Sequence, residues 1–436
     1  MDLSLPVAES PLNGTLAVPG DKSLAHRAAL FAAVAEGDSE IHNYPDSGVT
    51  RAMRGALASL GVDSSWSDGV LRVSGRGFRP FPNVGATAFC GNSATTIRLL
   101  AGVLAGTGSE AVLDGSEGLR RRPMDRVVDP LVAMGARVAG TPGVAADGRA
   151  VACSPLCFGK AALKAVDYAL PVASAQVLSC LQLAALGADG ESHFIVPGPV
   201  RDHTVRMLSA MGADIRQMGL ESFVRPLARP LTPLFGALPG DASSAAFLFA
   251  AAAIVPGSSV TVTGVGVNPT RTGMLDILSR MGVKVSYANA REVLGEPVAD
   301  VTVEAAPLNG VVVDGDLVVR AIDEFPALAV VGAFAQGALI VREARELRYK
   351  ETDRIAAIVA QLRALGAHVD EFPDGFCVHG GTLTGGRAHA HGDHRLAMSM
   401  ALCGLRAPVV VEGAEILRES YPTFEPSVLS LMVRPR

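Results

Sequence analysis

The chain has 436 residues, of which 49% are hydrophobic and 5% are aromatic. This length exceeds that of one ordinary domain, so we expect two domains with large cores. The formal net charge of -5 argues against a nucleic-acid partner, because nucleic-acid-binding surfaces are normally basic.

The sequence also bears on location. The longest apolar run, Ala245 to Val255, is too short to cross a bilayer. The stretch MDLSLPVAES at the start has neither the basic nor the apolar region of a secretory signal. Six scattered cysteines without the spacing of a zinc site are typical of a reducing compartment. We therefore expect a cytoplasmic protein with no membrane partner.

The first predicted helix begins within VPGDKSLAHRAALFAA, residues 18–33, where Lys22, Ser23 and Arg27 follow a Pro-Gly turn. A helix N-terminus attracts anions, so cations placed there indicate an anion site. The spacing is not that of a P-loop, since an aspartate intrudes before the lysine. The alternative is that Asp21 or Ser23 caps the helix and that Lys22 is solvated.

Two patterns then recur along the chain. Helices end in Leu/Met-Gly before a β-branched run, with the glycine at the C′ position; these glycines are Gly61, Gly135, Gly212, Gly282 and Gly366. Small polar residues open Ala/Leu-rich helices at Asp21, Asn92, Ser174, Asp241, Asp323 and Asp393. Spacings of roughly 67 to 85 residues predict six α/β units, three per domain. The Pro/Gly-rich stretch 234–244 separates the third unit from the fourth.

Cations concentrate where these elements begin. They are Lys22, Arg27, Arg98, Arg120, Arg121, Arg122, Arg126, Arg201, Arg206, Arg271, Arg348, Lys350, Arg354 and Arg395. Guanidinium and ammonium groups bind carboxylates and phosphates, so their recurrence favours a large anion receptor. For any single arginine, a solvated or salt-bridged side chain is the alternative.

Two acidic positions are candidates for proton transfer. Asp323 and Glu324 precede the apolar stretch FPALAVVGAFA, and Glu351 lies between cations in YKETDR. An acid held beside a bound substrate can donate or accept a proton. The alternatives are that the pair only caps a helix and that Glu351 is an ordinary first-turn acid.

The stretch HAHGDH contains His389, His391, Asp393 and His394. Alternating histidines on a strand share one face, which would suit a metal ion. However, Gly392 interrupts the element, and no further ligand group accompanies it. We therefore expect no metal at this stretch.

Seven motifs taken together resemble those of the enolpyruvylshikimate-phosphate synthase family. They are DKSLAHR (21–27), GNSATTIRLL (91–100), RRPM (121–124), SAQVLSC (174–180), VNPTRTG (267–273), KETDR (350–354) and GDHRLAM (392–398). They occur in the family's order and span nearly the whole chain.

The resemblance implies an α/β protein with the two-domain enolpyruvyl transferase fold, in which six βαβαββ units, three per domain, surround inward helices. It places one domain at residues 1–20 plus 238–436 and the other at 21–237, with the active site in the interdomain cleft. We also expect a monomer.

The implied reaction joins phosphoenolpyruvate to the 5-hydroxyl of shikimate 3-phosphate and releases phosphate. It passes through a tetrahedral intermediate and uses no metal and no organic cofactor. Both substrates carry a phosphate and a carboxylate, which agrees with the many cations.

The resemblance also assigns roles to residues. Lys22 serves in proton transfer and contacts both substrates, Asp323 accepts the 5-hydroxyl proton, and Glu351 delivers a proton to the methylene carbon or recovers it later. Shikimate 3-phosphate is assigned to Ser23, Arg27, Ser174, Ala175, Gln176, Arg201 and Lys350, with Ser23 and Arg27 at its carboxylate side. Phosphoenolpyruvate is assigned to Asn92, Ala94, Arg122, Arg354 and Arg395.

Three positions depart from the family's usual pattern. Ala94 stands where many members have glycine, and Ala175 stands where many have serine. Glu419, beside Arg418, occupies the place of a C-terminal lysine. A methyl group at Ala94 would narrow the phosphoenolpyruvate pocket, so we expect glyphosate to be a weak competing ligand, as in the tolerant class II branch.

Two other functions are considered. The sister transferase that acts on UDP-N-acetylglucosamine shares this fold but commonly uses a loop cysteine, and DGSEGLRRRPMDR (114–126) has none. A non-catalytic anion-binding scaffold would leave Asp323 and Glu351 as mere helix caps.

Overall fold

The computed structural model describes residues 1–145 and 148–432 as an assembly of small sheets and helices. The α-helices of this part, numbered α1 to α14 in chain order, are Lys22–Val34, Gly48–Ser59, Ala94–Thr107, Glu117–Arg120, Asp125–Ala133, Ala175–Ala185, His203–Ala210, Ala242–Ile254, Gly273–Arg280, Asp316–Arg320, Phe325–Gly332, Arg354–Ala364, His394–Cys403 and Phe424–Ser430. Two 3-10 helices span Arg345–Tyr349 and Ala414–Glu419.

The strands are short. Numbered β1 to β22, they are Asn13–Ala17, Glu36–His42, Asp63–Ser67, Val70–Arg76, Ala86–Phe89, Ala111–Asp114, Arg137–Val144, Ala150–Gly159, Asp167–Ala169, Ser192–Ile195, Ile215–Met218, Glu221–Val224, Phe235–Ala237, Ser259–Gly266, Lys284–Val293, Glu296–Glu304, Asn309–Val313, Gln336–Val341, His368–Phe372, Gly375–His379, Gly386–His389 and Val409–Glu412.

The strands form six sheets within the described residues, in agreement with the six predicted units. Five sheets have four strands, in the orders β13-β2-β4-β3, β5-β6-β8-β7, β11-β12-β10-β9, β1-β14-β16-β15 and β17-β18-β20-β19. Each combines one parallel pair with two antiparallel pairs, as β5-β6-β8-β7 shows. The sixth has only the parallel pair β21-β22, flanked by a single bridge from Leu3 to Val411. The α/β class and the repeated units are thereby confirmed, although the sixth unit lacks a full sheet.

Most predicted helix starts agree with the structure, but at Asn92 the cap is the next residue, Ser93, and at Asp323 it is Glu324, which makes no side-chain capping bond. The side chains of Asp21, Ser93, Ser174, Asp241 and Asp393 accept hydrogen bonds from backbone N–H groups in the first turns of α1, α3, α6, α8 and α13. The five predicted C′ glycines have φ values between 88° and 100°, a region that favours glycine because it has no Cβ.

The chain divides into two compact units. Unit 1 contains Met1–Pro19, Pro239–Arg291 and Pro297–Arg436, and unit 2 contains Gly20–Leu238 and Glu292–Glu296. Residues Glu292–Glu296 form the tip of the β15–β16 hairpin. The expected domain bounds place this tip in the domain of residues 1–20 and 238–436. It belongs to unit 2 because it packs tightly there, as a Cβ on Gly295 would lie 2.4 Å from the Arg206 carbonyl oxygen.

Unit 1 is built around α8, α11 and α13, which pack against one another. All eight residues of α11 are buried, and so are Ser243 to Ile254 of α8. Helices that are apolar on every side are stable only when other elements cover them completely. The start of each helix therefore stands at a fixed place in the core of unit 1.

In unit 2, α3 packs against both α1 and α6. The approach of α3 to α6 requires glycine at position 102, where a Cβ would lie 2.2 Å from the carbonyl oxygen of Cys180. The close packing brings the N-terminal turns of α3 and α6 side by side. No helix among residues 1–145 and 148–432 is long and apolar enough to span a membrane.

Candidate active site

Asp323 lies among three cations in unit 1. Its Oδ1 is 3.5 Å from NH1 of Arg354 and 4.0 Å from Nζ of Lys350, and its Oδ2 is 4.0 Å from NH2 of Arg395. The three cations come from the 350–354 segment and the first turn of α13. The carboxylate is partly buried, with 16% of its side chain exposed.

Arg354 organises the acids of this cluster. Its side chain is buried, its Nε donates to Asp393 at 2.7 Å, and its NH2 donates to Glu351 at 2.6 Å. Burial opposes the guanidinium charge, but the neighbouring carboxylates of Glu351, Asp393 and Asp323 outweigh it and raise the pKa of Arg354. Arg354 is therefore permanently charged and holds Glu351 in place.

The cap positions of α11 and α12 are Glu324 and Asp353, not Asp323 and Glu351. Asp353 caps α12 by accepting from the N–H of Ala356 at 3.0 Å, and Glu351 precedes that cap. At α11 the cap position is Glu324, whose side chain makes no capping bond. Glu351 is therefore not a first-turn acid of α12, and Glu324 does not cap α11 through its side chain.

Glu324 belongs to a buried polar network with Ser243, Arg271 and Asp241, a linkage that the sequence alone does not indicate. Its Oε1 accepts from Ser243 at 2.5 Å and lies 3.8 Å from NH1 of Arg395. NH2 of Arg271 donates to the same serine at 2.8 Å and lies 3.5 Å from Oδ1 of Asp241. Arg271 and Asp241 themselves both lie in the motifs singled out above.

In unit 2, Asp21 caps α1 and accepts from the N–H groups of Ser23 at 2.7 Å and Leu24 at 3.0 Å. The capping expectation for Asp21 is confirmed. Because those two amides are occupied, the side chains of Lys22 and Ser23 are the groups that can bind an anion at this helix end besides the remaining backbone N–H. Both side chains are partly exposed.

Arg27 is buried one turn further along α1. Its Nε donates to Thr204 at 2.8 Å, its NH2 to Ser179 at 2.9 Å, and its NH1 to the Ser23 carbonyl at 3.1 Å. Arg27 thus ties α1 to α6 and α7 and fixes the backbone of Ser23. The two hydroxyl partners lie far away in the sequence, so no local pattern could have revealed them.

The first turns of α3 and α6 carry the candidates Ala94, Ala175 and Gln176. Nε2 of Gln176 donates to Thr95 at 2.8 Å, and its Oε1 accepts from Arg98. These contacts link the start of α6 to α3. The structure therefore brings together three of the predicted substrate-binding positions, with Ser174 at the cap of α6.

The other candidates of unit 2 lie in loops. Oδ1 of Asn92 accepts from Ser116 at 3.0 Å, just before α3. Arg122 has an exposed side chain between α4 and α5, and Arg201 lies two residues before α7 with a partly exposed side chain. Arg120, in the same stretch as Arg122, is paired with Asp114.

His26 couples α1 to the cap of α3. Its Nδ1 lies 2.6 Å from the Lys22 carbonyl oxygen, which can only accept, so this nitrogen carries the proton. Its Nε2 lies 3.3 Å from the Ser93 hydroxyl. Burial lowers the pKa of His26 to about 4, so the ring is neutral.

The HAHGDH residues are used by the protein itself. Asp393 caps α13 and pairs with Arg354, while Nε2 of His391 lies 3.0 Å from Gln361. Near the end of the chain, Glu419 and Arg418 are exposed in the second 3-10 helix.

Comparisons with known proteins agree over almost the full length. Residues 7–428 match the family model described as EPSP synthase (3-phosphoshikimate 1-carboxyvinyltransferase). A relative named 3-phosphoshikimate 1-carboxyvinyltransferase from Acidithiobacillus ferrooxidans is 45% identical over 418 residues, which cover 95% of this chain and 94% of that protein. One of the same name from Syntrophomonas wolfei is 44% identical over 421 residues, with 96% of each chain covered.

Two solved structures are similar to this fold. An EPSP synthase from Acinetobacter baumannii has a TM-score of 0.89 and 36% identity, with 98% of this chain and 97% of that chain covered. The enolpyruvyl transferase NikO from Streptomyces tendae has a TM-score of 0.72, with 98% of this chain and 96% of that chain covered. At 20% identity, that second likeness concerns the fold alone.

Proposed function

The chain belongs to the EPSP synthase (3-phosphoshikimate 1-carboxyvinyltransferase) family, and from this premise we propose which of its side chains carry out the reaction. It is a transferase of the shikimate pathway, which leads to the aromatic amino acids. It moves the enolpyruvyl group of phosphoenolpyruvate to the 5-hydroxyl of shikimate 3-phosphate by addition and elimination, and phosphate leaves.

The observation that carries the assignment is the position of Asp323 among Lys350, Arg354 and Arg395. Only an ionised carboxylate can accept a proton, and cationic neighbours favour that form. In the addition step, the oxygen of the 5-hydroxyl bonds to the central carbon of phosphoenolpyruvate. Asp323 takes the proton that this hydroxyl loses. The same cations bind the carboxylate or phosphate of a substrate beside it.

A second group must protonate the methylene carbon during addition and remove a proton from the resulting methyl group during elimination. Glu351 and Lys22 are the candidates. Glu351 is held by Arg354 at 2.6 Å, and 45% of its side chain is exposed, so it can reach both a substrate and solvent. In elimination, the methyl group returns its proton to this second group as the C–O bond to phosphate breaks, and the leaving phosphate takes up the proton that Asp323 gained from the 5-hydroxyl.

Substrate binding is proposed to divide between the residue sets described above. Ser23, Arg27, Ser174, Ala175, Gln176 and Arg201 of unit 2 and Lys350 of unit 1 take shikimate 3-phosphate. Asn92, Ala94 and Arg122 of unit 2 and Arg354 and Arg395 of unit 1 take phosphoenolpyruvate. Under this proposal the two units act as two domains that serve a single pair of substrates.

Two further features are proposed on narrower grounds. Glyphosate is a weak competitor because Ala94 adds a methyl group at the start of α3, beside the cap Ser93. The chain acts as a monomer in the cytoplasm, as expected from its sequence.

Phosphate release from phosphoenolpyruvate tests the function directly. We expect release only when shikimate 3-phosphate is present, and we expect it to persist in metal-chelated buffer. UDP-N-acetylglucosamine as the acceptor distinguishes the sister activity. Binding of both substrates without any release would instead favour the non-catalytic scaffold.

A further inference from the structure

A cluster of metal-binding side chains lies on the β19–β20 hairpin of unit 1, outside the active-site residues. In the antiparallel register, His368 is opposite His379 and Asp370 is opposite Cys377. Because side chains alternate along a strand, these four residues share one face of the hairpin. Two histidines, a carboxylate and a thiol are the groups that bind Zn²⁺ in proteins.

The ligand atoms are already close together. Nε2 of His379 is 2.8 Å from Oδ2 of Asp370 and 3.5 Å from Sγ of Cys377. Nε2 of His368 is 3.9 Å from Oδ1 of Asp370. Ligands of a tetrahedral zinc ion lie about 3.3 to 3.6 Å from one another, given bond lengths of about 2.0 to 2.3 Å. The ligand atoms of His368, Asp370 and His379 all lie within 4.8 Å of one another, so small rotations of these side chains would place one ion at bonding distance from each. Cys377, whose Sγ lies beside Nε2 of His379, supplies the fourth position after a further movement.

The cluster combines rigid and adjustable ligands. Cys377 is buried, while His368 and His379 expose 73% and 39% of their side chains. The two imidazole rings are stacked, with centroids 4.2 Å apart. The thiol is thus fixed by the sheet, and an ion can enter from solvent between rings that are able to turn.

We propose that His368, Asp370, Cys377 and His379 form a zinc-binding site that takes no part in enolpyruvyl transfer. The thiolate and the carboxylate together neutralise the charge of the ion. Their attraction for the ion must also exceed the repulsion between the ion and two nearby cations, Arg363 and Arg342. Arg363 donates from Nε to the Val369 carbonyl at 2.8 Å, and the guanidinium of Arg342 lies 5.7 Å from the ring centroid of Phe372.

The bound ion would fasten β19, the edge strand of its sheet, to β20. An edge strand has a hydrogen-bonded neighbour on one side only, so a cross-strand link restrains the element that is most free to separate.

The test is a titration of the full-length, chelator-treated protein with Zn²⁺ alone, in competition with a coloured chelator. We expect one equivalent to bind in the micromolar range or tighter and to raise the midpoint of thermal unfolding. His379→Ala and His368→Ala should each weaken binding about tenfold or more, since even changes around the ligands cost that much.

Cobalt supplies a spectroscopic test of the thiol. Co²⁺ should give the visible absorption of a tetrahedral site together with a thiolate charge-transfer band, and Cys377→Ser should abolish that band. His42→Ala is the matched control, because His42 forms an exposed pair with Glu40 at 2.9 Å in which no second histidine takes part.

The proposal is overturned if the parent protein binds zinc no more tightly than the His368→Ala and His379→Ala variants, or if the charge-transfer band persists in Cys377→Ser. These readouts do not involve turnover, so they are independent of the proposed catalytic assignments.

Discussion

At the scale of single residues, Asp323 carries most of the proposed chemistry. Replacing it with asparagine keeps the shape and removes the proton acceptor. We expect kcat of Asp323→Asn to fall by about 10²- to 10⁴-fold, the usual contribution of general base catalysis. The Kd values of both substrates should change little, and phosphate release with isothermal titration would separate the two effects.

Asp316→Asn is the control for this change, because Asp316 is an exposed acid at the start of α10 in the same unit. Its kcat should equal that of the parent. Undiminished turnover in Asp323→Asn would remove Asp323 from the mechanism.

Ala94 permits a second test at one residue. The Ala94→Gly variant lacks one methyl group at the start of α3, and a methylene in a pocket is worth about 10- to 200-fold in discrimination. We expect glyphosate to inhibit the variant at least about tenfold more strongly, with a smaller change in KM for phosphoenolpyruvate. Competitive inhibition assays measure both, and equal inhibition of the two proteins would contradict the proposal.

His26 makes stability depend on pH. In the folded chain its pKa is about 4, below the ordinary value of 6.5, so below pH 6.5 the unfolded chain binds a proton that the folded chain excludes. The contribution of neutral, buried His26 to the free energy of unfolding is present above pH 6.5 and is lost as the pH falls toward 4. It amounts to about 2 kcal/mol between pH 7 and pH 5.

Replacing His26 with asparagine should remove this contribution, because the amide can donate to the Lys22 carbonyl but does not titrate. Urea unfolding of both proteins at pH 7 and pH 5 gives the comparison. A difference in the free energy of unfolding that is the same at both pH values would show that His26 is not the cause.

At the scale of elements, the segment before α12 is held by Arg348. Its Nε donates to the Pro373 carbonyl at 2.8 Å, its NH2 to the Phe372 carbonyl at 2.7 Å, and its NH1 to Asp353, the cap of α12, at 2.8 Å. Arg348 thus fixes both ends of the short stretch that carries Glu351.

We therefore expect Arg348→Ala to lower kcat by about ten- to a hundredfold through misplacement of the reacting groups. KM for shikimate 3-phosphate should rise as well, because Lys350 lies in the same stretch, and Arg348→Lys should recover part of kcat. Arg345→Ala, an exposed change in the same 3-10 helix, is the control. A loss of thermal stability without any loss of kcat would contradict the positioning role.

Those helix boundaries that depend on neighbouring residues alone can be predicted from the sequence. Helix starts at Asp21 and Asp393 and helix ends at the five C′ glycines were predictable, because a cap and a left-handed glycine act within a few residues. Asp323 lies among Lys350, Arg354 and Arg395, whereas the cap position of α11 is Glu324. Those partners depend on packing between elements, which no local pattern encodes.

In the candidate site, too, contacts between residues far apart in the sequence could not be predicted. The family motifs identify the residues that are proposed to contact substrate, but not the groups that orient them. Ser179 and Thr204 bind Arg27, and Ser243 joins Glu324 to Arg271, across wide gaps in the sequence. The expected domain bounds place residues 292–296 with the chain ends, whereas the structure groups this hairpin tip with unit 2, where Gly295 packs against α7.

At the scale of the whole molecule, each unit has its own hydrophobic core. Unit 2 contains Trp66, the single tryptophan, whose Nε1 donates to the Tyr44 carbonyl at 3.2 Å. Its fluorescence therefore reports on unit 2, whereas circular dichroism reports on both units. The molecule thus offers a way to follow its cores separately.

We expect Leu328→Ala in the core of unit 1 and Leu99→Ala in the core of unit 2 to cost about 2 to 5 kcal/mol each. The unit 2 change should lower the fluorescence midpoint in urea, whereas the unit 1 change should lower the midpoint seen by circular dichroism and leave the fluorescence unaltered. Equal shifts of both signals in both variants would mean that the cores unfold as one cooperative body.

The pairing of β1 with β14 has a consequence for biosynthesis. β1 lies before unit 2 in the chain, yet its parallel partner is completed only at Gly266. A ribosome therefore releases nearly all of Gly20–Leu238 before the first strand can find its neighbour. Since domains fold as they emerge, β1 leaves the ribosome before unit 2 yet pairs only after it, and it must stay without its partner while the core of unit 2 forms behind it.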